Sequence, residues 1–166
     1  MKKTAIVLTV LALLLLPAWG RAAAAGDEKA LVEKINAGVA RLLDKSLPGE
    51  ECVKGIPMLV EAVEMAAVGE KGMAAFRGEI HAALELMRTG RPLDDAAGGK
   101  LWKAYALLES GKPFQMPTGV GKIEEIVDLC RKKVDFALSR IKAGSPSEAA
   151  KPVLEVILMV ITPVSQ

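Results

Sequence analysis

Three times in this chain a stretch of regularly spaced apolar residues ends in a glycine, one further residue and a proline: Thr89-Gly90-Arg91-Pro92, Ser110-Gly111-Lys112-Pro113 and Ala143-Gly144-Ser145-Pro146. Glycine supplies the left-handed conformation that closes a helix, and a proline two residues later prevents continuation. The segments between these stops repeat apolar residues at steps of three and four, which gathers them on one face of a helix instead of alternating them across a strand. The glycines stand 21 and 33 positions apart. Unequal spacing marks helix stops made in the same way, not a solenoid repeat.

The first helix is expected over residues 27–47, with Leu31, Ile35, Val39 and Leu42 on one stripe, Val32 and Leu43 beside it, and Pro48-Gly49 at its end. A second, from about Glu51 to Val68, turns Cys52, Ile56, Leu59, Val63 and Ala66 inward and carries Pro57 one turn from its start. A third, from Gly72 to Thr89, buries Met73, Phe76, Ile80, Leu84 and Met87. The fourth, from Asp94 to Ser110, opens on Asp94 as N-cap and buries Leu101, Ala104, Tyr105 and Leu108, with Gly98-Gly99 weakening its first turn. The fifth has the clearest stripe: Ile123, Ile126, Val127, Cys130, Val134, Ala137 and Ile141.

The last segment begins with Ser145-Pro146-Ser147-Glu148, which reads as a capping box with proline at the first helical position. Only Glu155 interrupts the apolar run from Val153 to Ile161, so nearly every side of that element wants cover. A strand is the alternative for so short a Val- and Ile-rich run, and the cap favours helix even with Pro152 inside. Few aromatics and much Ala, Leu, Glu and Lys point the same way. The expected fold is all-α, a single bundle of five or six helices over residues 26–166.

Residues 1–25 are expected to be a cleaved secretory signal peptide. Met1-Lys2-Lys3 is the charged n-region, Thr4 to Leu16 is almost wholly apolar, and Ala22-Ala23-Ala24 or Ala23-Ala24-Ala25 offers a cleavage site. The apolar stretch falls short of the roughly 18 residues that span a bilayer. No cysteine precedes Cys52, so no lipoprotein anchor forms, and the twin arginines of the folded-export route are absent. The implied address is periplasmic or secreted by Sec-type export, with no stable membrane span after cleavage.

Cleavage removes Lys2, Lys3 and Arg21 from 22 basic residues, leaving 19 against 20 acidic ones. The mature chain is nearly neutral and has no basic cluster in sequence, which together with export disfavours nucleic acid as a partner. In an oxidising compartment Cys52 and Cys130 are expected to pair, closing a loop of 78 positions. A bond of that span is worth about 4.5 kcal/mol in the chain-entropy account, provided the two Cα atoms come within about 7 Å. Two separately buried thiols are the alternative.

Signals for chemistry are sparse. His81, the only histidine, shares a helix edge with Arg77, Glu85 and Arg88, so an ion pair with Glu85 one turn on is its simplest role. A haem held by His81 and a methionine such as Met58, Met65, Met116 or Met159 is a competing use, but the Cys-x-x-Cys-His of covalent attachment is missing. No Gly-x-Ser-x-Gly, Cys-x-x-Cys, His-Glu-x-x-His or calcium-loop spacing occurs. Asp94-Asp95 and Glu124-Glu125 are helix-start charges favoured by the dipole, and Gly119-Val120-Gly121-Lys122 is a flexible lead-in to a helix, not a phosphate loop. No catalytic, cofactor or metal residues are assigned.

The segment from Ser110 to Gly121 is the longest without regular structure. Phe114, Met116 and Val120 either pack over a bundle end or form, with Trp102, an exposed contact surface. The function implied is non-enzymatic binding or protein interaction in the cell envelope, with an envelope protein or an apolar small ligand as partner. A bundle that binds haem or an apolar ligand, and a small exported enzyme without a recognisable motif, are the alternatives.

Overall fold

Helices account for every regular element among the described residues. The computed structural model describes residues 27–70, 72–89, 94–118 and 122–162. The helices are α1 (27–42), α2 (Gly49–Val53), α3 (Gly55–Ala66), α4 (Ala74–Thr89), α5 (Asp95–Leu108), α6 (Ile123–Lys142) and α7 (Ser147–Ile161). The expected signal peptide and its cleavage site lie outside the described residues.

The last helix organises the bundle. It packs against α3, α5 and α6, while α4 lies against α3 and α5. Residues 152–159 of α7 are all buried, which accounts for a helix that is apolar on nearly every side. The strand alternative for this segment is thereby replaced by a helix that tolerates Pro152. The capping box is not made: Pro146 occupies the N-cap position without a side-chain bond, Ser147 Oγ donates to Glu70 Oε1 at 2.9 Å, and Glu148 pairs with Arg140. Arg140, on the preceding helix, has taken the Glu148 carboxylate that a local box with Ser145 would have used.

Other boundaries differ for local reasons. The first helix stops at residue 42, short of 47, because Asp44 Oδ1 accepts from both Ser46 N (2.9 Å) and Ser46 Oγ (2.6 Å), a turn that competes with helix. The second expected helix is divided at Lys54, one turn before Pro57. A proline ring excludes the carbonyl four residues earlier, here Val53, and its missing N–H costs nothing in the first turn of α3. Asp94 caps α5 as expected, accepting from Ala97 N at 2.7 Å, and the helix runs unbroken through Gly98-Gly99.

The helix ends use left-handed residues. At α6, Gly144 has φ 76° and Ser145 N bonds back to Arg140 O at 3.0 Å, the six-residue closure of a Schellman motif. At α5, Gly111 N reaches Ala106 O at 2.7 Å, so the closing residue is Ser110, with φ 53°. Gly90 lies outside the described residues.

Candidate functional site

Glu155 is buried, only 9% exposed, within the otherwise apolar run of α7. A carboxylate at that depth requires partners. Lys133 of α6 pairs with its Oε2, and Tyr105 Oη of α5 donates to Oε1 at 3.4 Å. Burial first, and then the carboxylates of Glu155 and Glu109, push the Tyr105 hydroxyl above its ordinary range, so it keeps its proton and acts as donor. One turn before Glu155, Lys151 bonds to Glu109, the C-cap residue of α5, which raises the lysine further and holds it as an ammonium.

Two recesses flank these pairs. One, of about 400 Å³, is lined by Lys132, Lys133, Phe136, Lys151, Pro152 and Glu155. The other, of about 280 Å³, is lined by Tyr105, Glu109, Lys112, Pro113 and Gln115. Tyr105–Glu155 and Glu109–Lys151 each contribute one partner to either recess, so the recesses adjoin across the two pairs. Phe136 is 54% exposed beside the larger recess, with the Arg140 guanidinium 5.9 Å from its ring centroid, within cation–π range. Lys132 and Lys112 make no ion pair among the described residues. The surface therefore offers unpaired ammonium groups, an aromatic face and proline edges.

Of the residues singled out in the sequence, Cys52 and Cys130 are brought into no bond; both are free thiols. The expected disulfide is corrected by the packing. Cys52 sits on α2, which packs against α3, with Sγ directed at Asp44 O (3.4 Å) and Leu47 O (3.6 Å). Cys130 is fully buried on α6, which packs against α7, and that burial pushes its thiol up to about 11.

His81 lies on an outer face, its side chain 60% exposed, and its Nδ1 meets Glu64 Oε1 of α3 at 2.9 Å. The expected partner, Glu85, is bonded to Arg88 at 2.7 Å instead. Of the methionines considered beside His81, Met159 is in the core, Met65 and Met116 pack against it, and Met58 is half-buried.

The loop after α5 is packed where it is described. Phe114 is 7% exposed and meets Trp102 (5.6 Å between ring centroids) and Tyr105 (5.3 Å) edge to face. Met116 packs against the core as well, so these two side chains cover a bundle end instead of forming an exposed contact surface. Trp102 also borders a recess of about 270 Å³ with Asp94, Asp95, Gly98, Gly99 and Ile161. Val120 and the glycines beside it lie outside the described residues.

The sequence contained a signal for the α6–α7 surface. Glu155 alone breaks an apolar run, and a lone acid there demands a basic partner at comparable depth; the Lys132-Lys133 doublet supplies it. Helical spacing also puts Phe136 on the flank of Lys132 and Lys133, off the buried stripe; what it does not reveal is that Lys151, Pro152 and Glu155 of α7 close a recess beside them.

Among the described residues no group of three or more His, Cys, Asp or Glu side chains is placed to hold a metal ion, and no helix is long and apolar enough to cross a membrane. Comparison with family models, with curated proteins and with solved structures finds no match for the chain.

Proposed function

We propose that the chain is an exported, non-enzymatic binding protein of the cell envelope and that the α6–α7 surface is its contact face. The observation that carries the reading is Phe136, half exposed at a recess of about 400 Å³ that Lys132, Lys133 and Lys151 also line, with the Arg140 guanidinium over its ring. A solvated phenyl ring is common by itself, but one set at a concave edge among cations offers apolar contact and charge-assisted bonding together. The lining contains no thiol and no imidazole, and its one hydroxyl is held by Glu155. These features favour recognition over covalent chemistry.

Export rests on the order of charge, apolar run and small residues in 1–25. Mass measurement of the protein recovered from the envelope tests it: cleavage after Ala24 or Ala25 is expected, and the full-length chain retained inside the cell overturns it. The contact face is tested by placing a photo-crosslinking phenylalanine analogue at Phe136 in the exported protein. Adducts are expected there and not from the same group at Asp135, and equal or absent adducts from both positions overturn the assignment.

A further inference from the structure

The two adjoining recesses differ in their apolar lining but share one electrostatic feature. Each presents one ammonium group without a partner among the described residues, Lys132 in the larger recess beside the committed Lys133 and Lys151, and Lys112 in the smaller beside the Glu109 carboxylate that Lys151 engages. Lys133 and Lys151 are neutralised by Glu155 and Glu109. The strip as a whole therefore carries excess positive charge, divided between two places on either side of the bridging pairs.

We propose that this strip binds an extended acidic peptide segment with an apolar side chain between its carboxylates, the carboxylates meeting Lys132 and Lys112 and the apolar group resting on Phe136 and Pro152. The proposal rests on the reading of the α6–α7 surface as the contact face and names its partner. Charge complementarity selects the acidic partner. The division of the unpaired charge between two recesses selects a ligand long enough to cross the Glu109–Lys151 pair, which a compact anion does not. Both recesses are open to solvent, as a peptide laid along a surface requires. A bilayer surface is a poorer fit, because Phe136 is set beside a concave face among mutually paired acids and bases.

The test uses a short fluorescein-labelled peptide with paired glutamates on either side of a leucine, its glutamine counterpart, and vesicles of an anionic phospholipid, each titrated with the mature protein at low salt. Saturable binding of the glutamate peptide is expected, with the glutamine peptide at least about tenfold weaker. Lys132→Glu and Lys112→Glu are each expected to weaken binding by about tenfold, the cost of reversing a charge at the edge of an interface. Phe136→Ser is expected to weaken it without changing its dependence on salt. All three sites are at the surface, and circular dichroism of each variant establishes that it is folded.

Equal affinity for the two peptides, no binding of the glutamate peptide, or insensitivity to both lysine reversals overturns the proposal. Vesicle binding that Lys132→Glu abolishes, with no peptide binding, also overturns it and assigns the surface to a membrane. Adducts at the Phe136 position without acidic-peptide binding leave the contact face standing and remove only the peptide. Loss of both removes the two together.

Discussion

Ser110 holds a conformation that ordinarily belongs to glycine. Its φ of 53° closes α5, and Gly111 at 88° follows immediately, whereas Gly144 alone serves α6. A residue with a Cβ loses about 1–2 kcal/mol in this region, and glycine there carries a smaller cost through the unfolded chain. Ser110→Gly is therefore expected to raise stability by about 0.5 kcal/mol, and Gly144→Ala to lower it by about 1 kcal/mol, read from urea midpoints at constant slope.

Cys130 provides a second test at this scale. Burial raises its thiol to about 11, so the neutral form is the one the fold favours. The contribution of that shift is complete below the ordinary thiol range and is lost as pH rises through about 11. Cys130→Ala is expected to lower stability at neutral pH while making its decline between about pH 9 and 11 shallower. In the native protein a thiol reagent should modify Cys52 first, with two thiols titrating after unfolding without reductant. Zero thiols under those conditions would restore the disulfide.

Between α1 and α3 the backbones meet at a pair of glycines. A Cβ on Gly55 at the start of α3 would stand 2.5 Å from Gly38 O and 3.0 Å from Leu42 N, backbone atoms of α1 that cannot move independently. A Cβ on Gly38 would instead press Leu59 Cδ2 at 2.8 Å. Gly55→Ala is expected to cost about 2–3 kcal/mol by forcing the helices apart, and Gly38→Ala less because part of the strain falls on a side chain.

The Lys133–Glu155 pair joins α6 to α7 in the same structural sense, through side chains in place of backbone. Lys133→Ala leaves Glu155 buried with only the Tyr105 hydroxyl. The expected loss is about 2 kcal/mol, below that of a fully buried pair because Lys133 is partly solvated. Adding Glu155→Leu should recover most of it, and a double-mutant cycle by chemical denaturation checks the coupling. At this scale the structure is legible in the sequence where a residue acts within one turn. Asp94 caps α5, and Pro57 divides the helix around it. The local pattern misleads where a remote partner competes, as when Glu148 pairs with Arg140 and Ser145 does not become the N-cap of α7.

Across the molecule, ion pairs join helices distant in sequence. Lys103 and Lys100 of α5 hold the Glu79 carboxyl below its ordinary range. Burial works against ionisation at Glu61, but bonds from Lys34 and Arg88 outweigh it and lower that carboxyl too. A lowered carboxyl contributes stability that is present above its unfolded pKa and lost as pH falls through the folded one. Stability is therefore expected to be level above about pH 5 and to decline below about 4.5, with a shallower decline in high salt because screening weakens the pairs at every pH. Thermal melts across pH 3–7 at two ionic strengths check this; a decline equally steep in high salt would sink it.

The sequence by itself determined the helical class, most of the buried stripes and the stop at Gly144, with the α5 stop displaced by one residue to Ser110. Each is encoded within a turn or two of chain, where spacing and backbone preference act directly. Tertiary structure decided that Cys52 and Cys130 stay apart, that His81 meets Glu64, that Phe114 goes under, and that Glu155 gathers Tyr105 and Lys133. Those outcomes depend on which helix lies beside which, and residues 17 to 50 positions apart meet only through that packing.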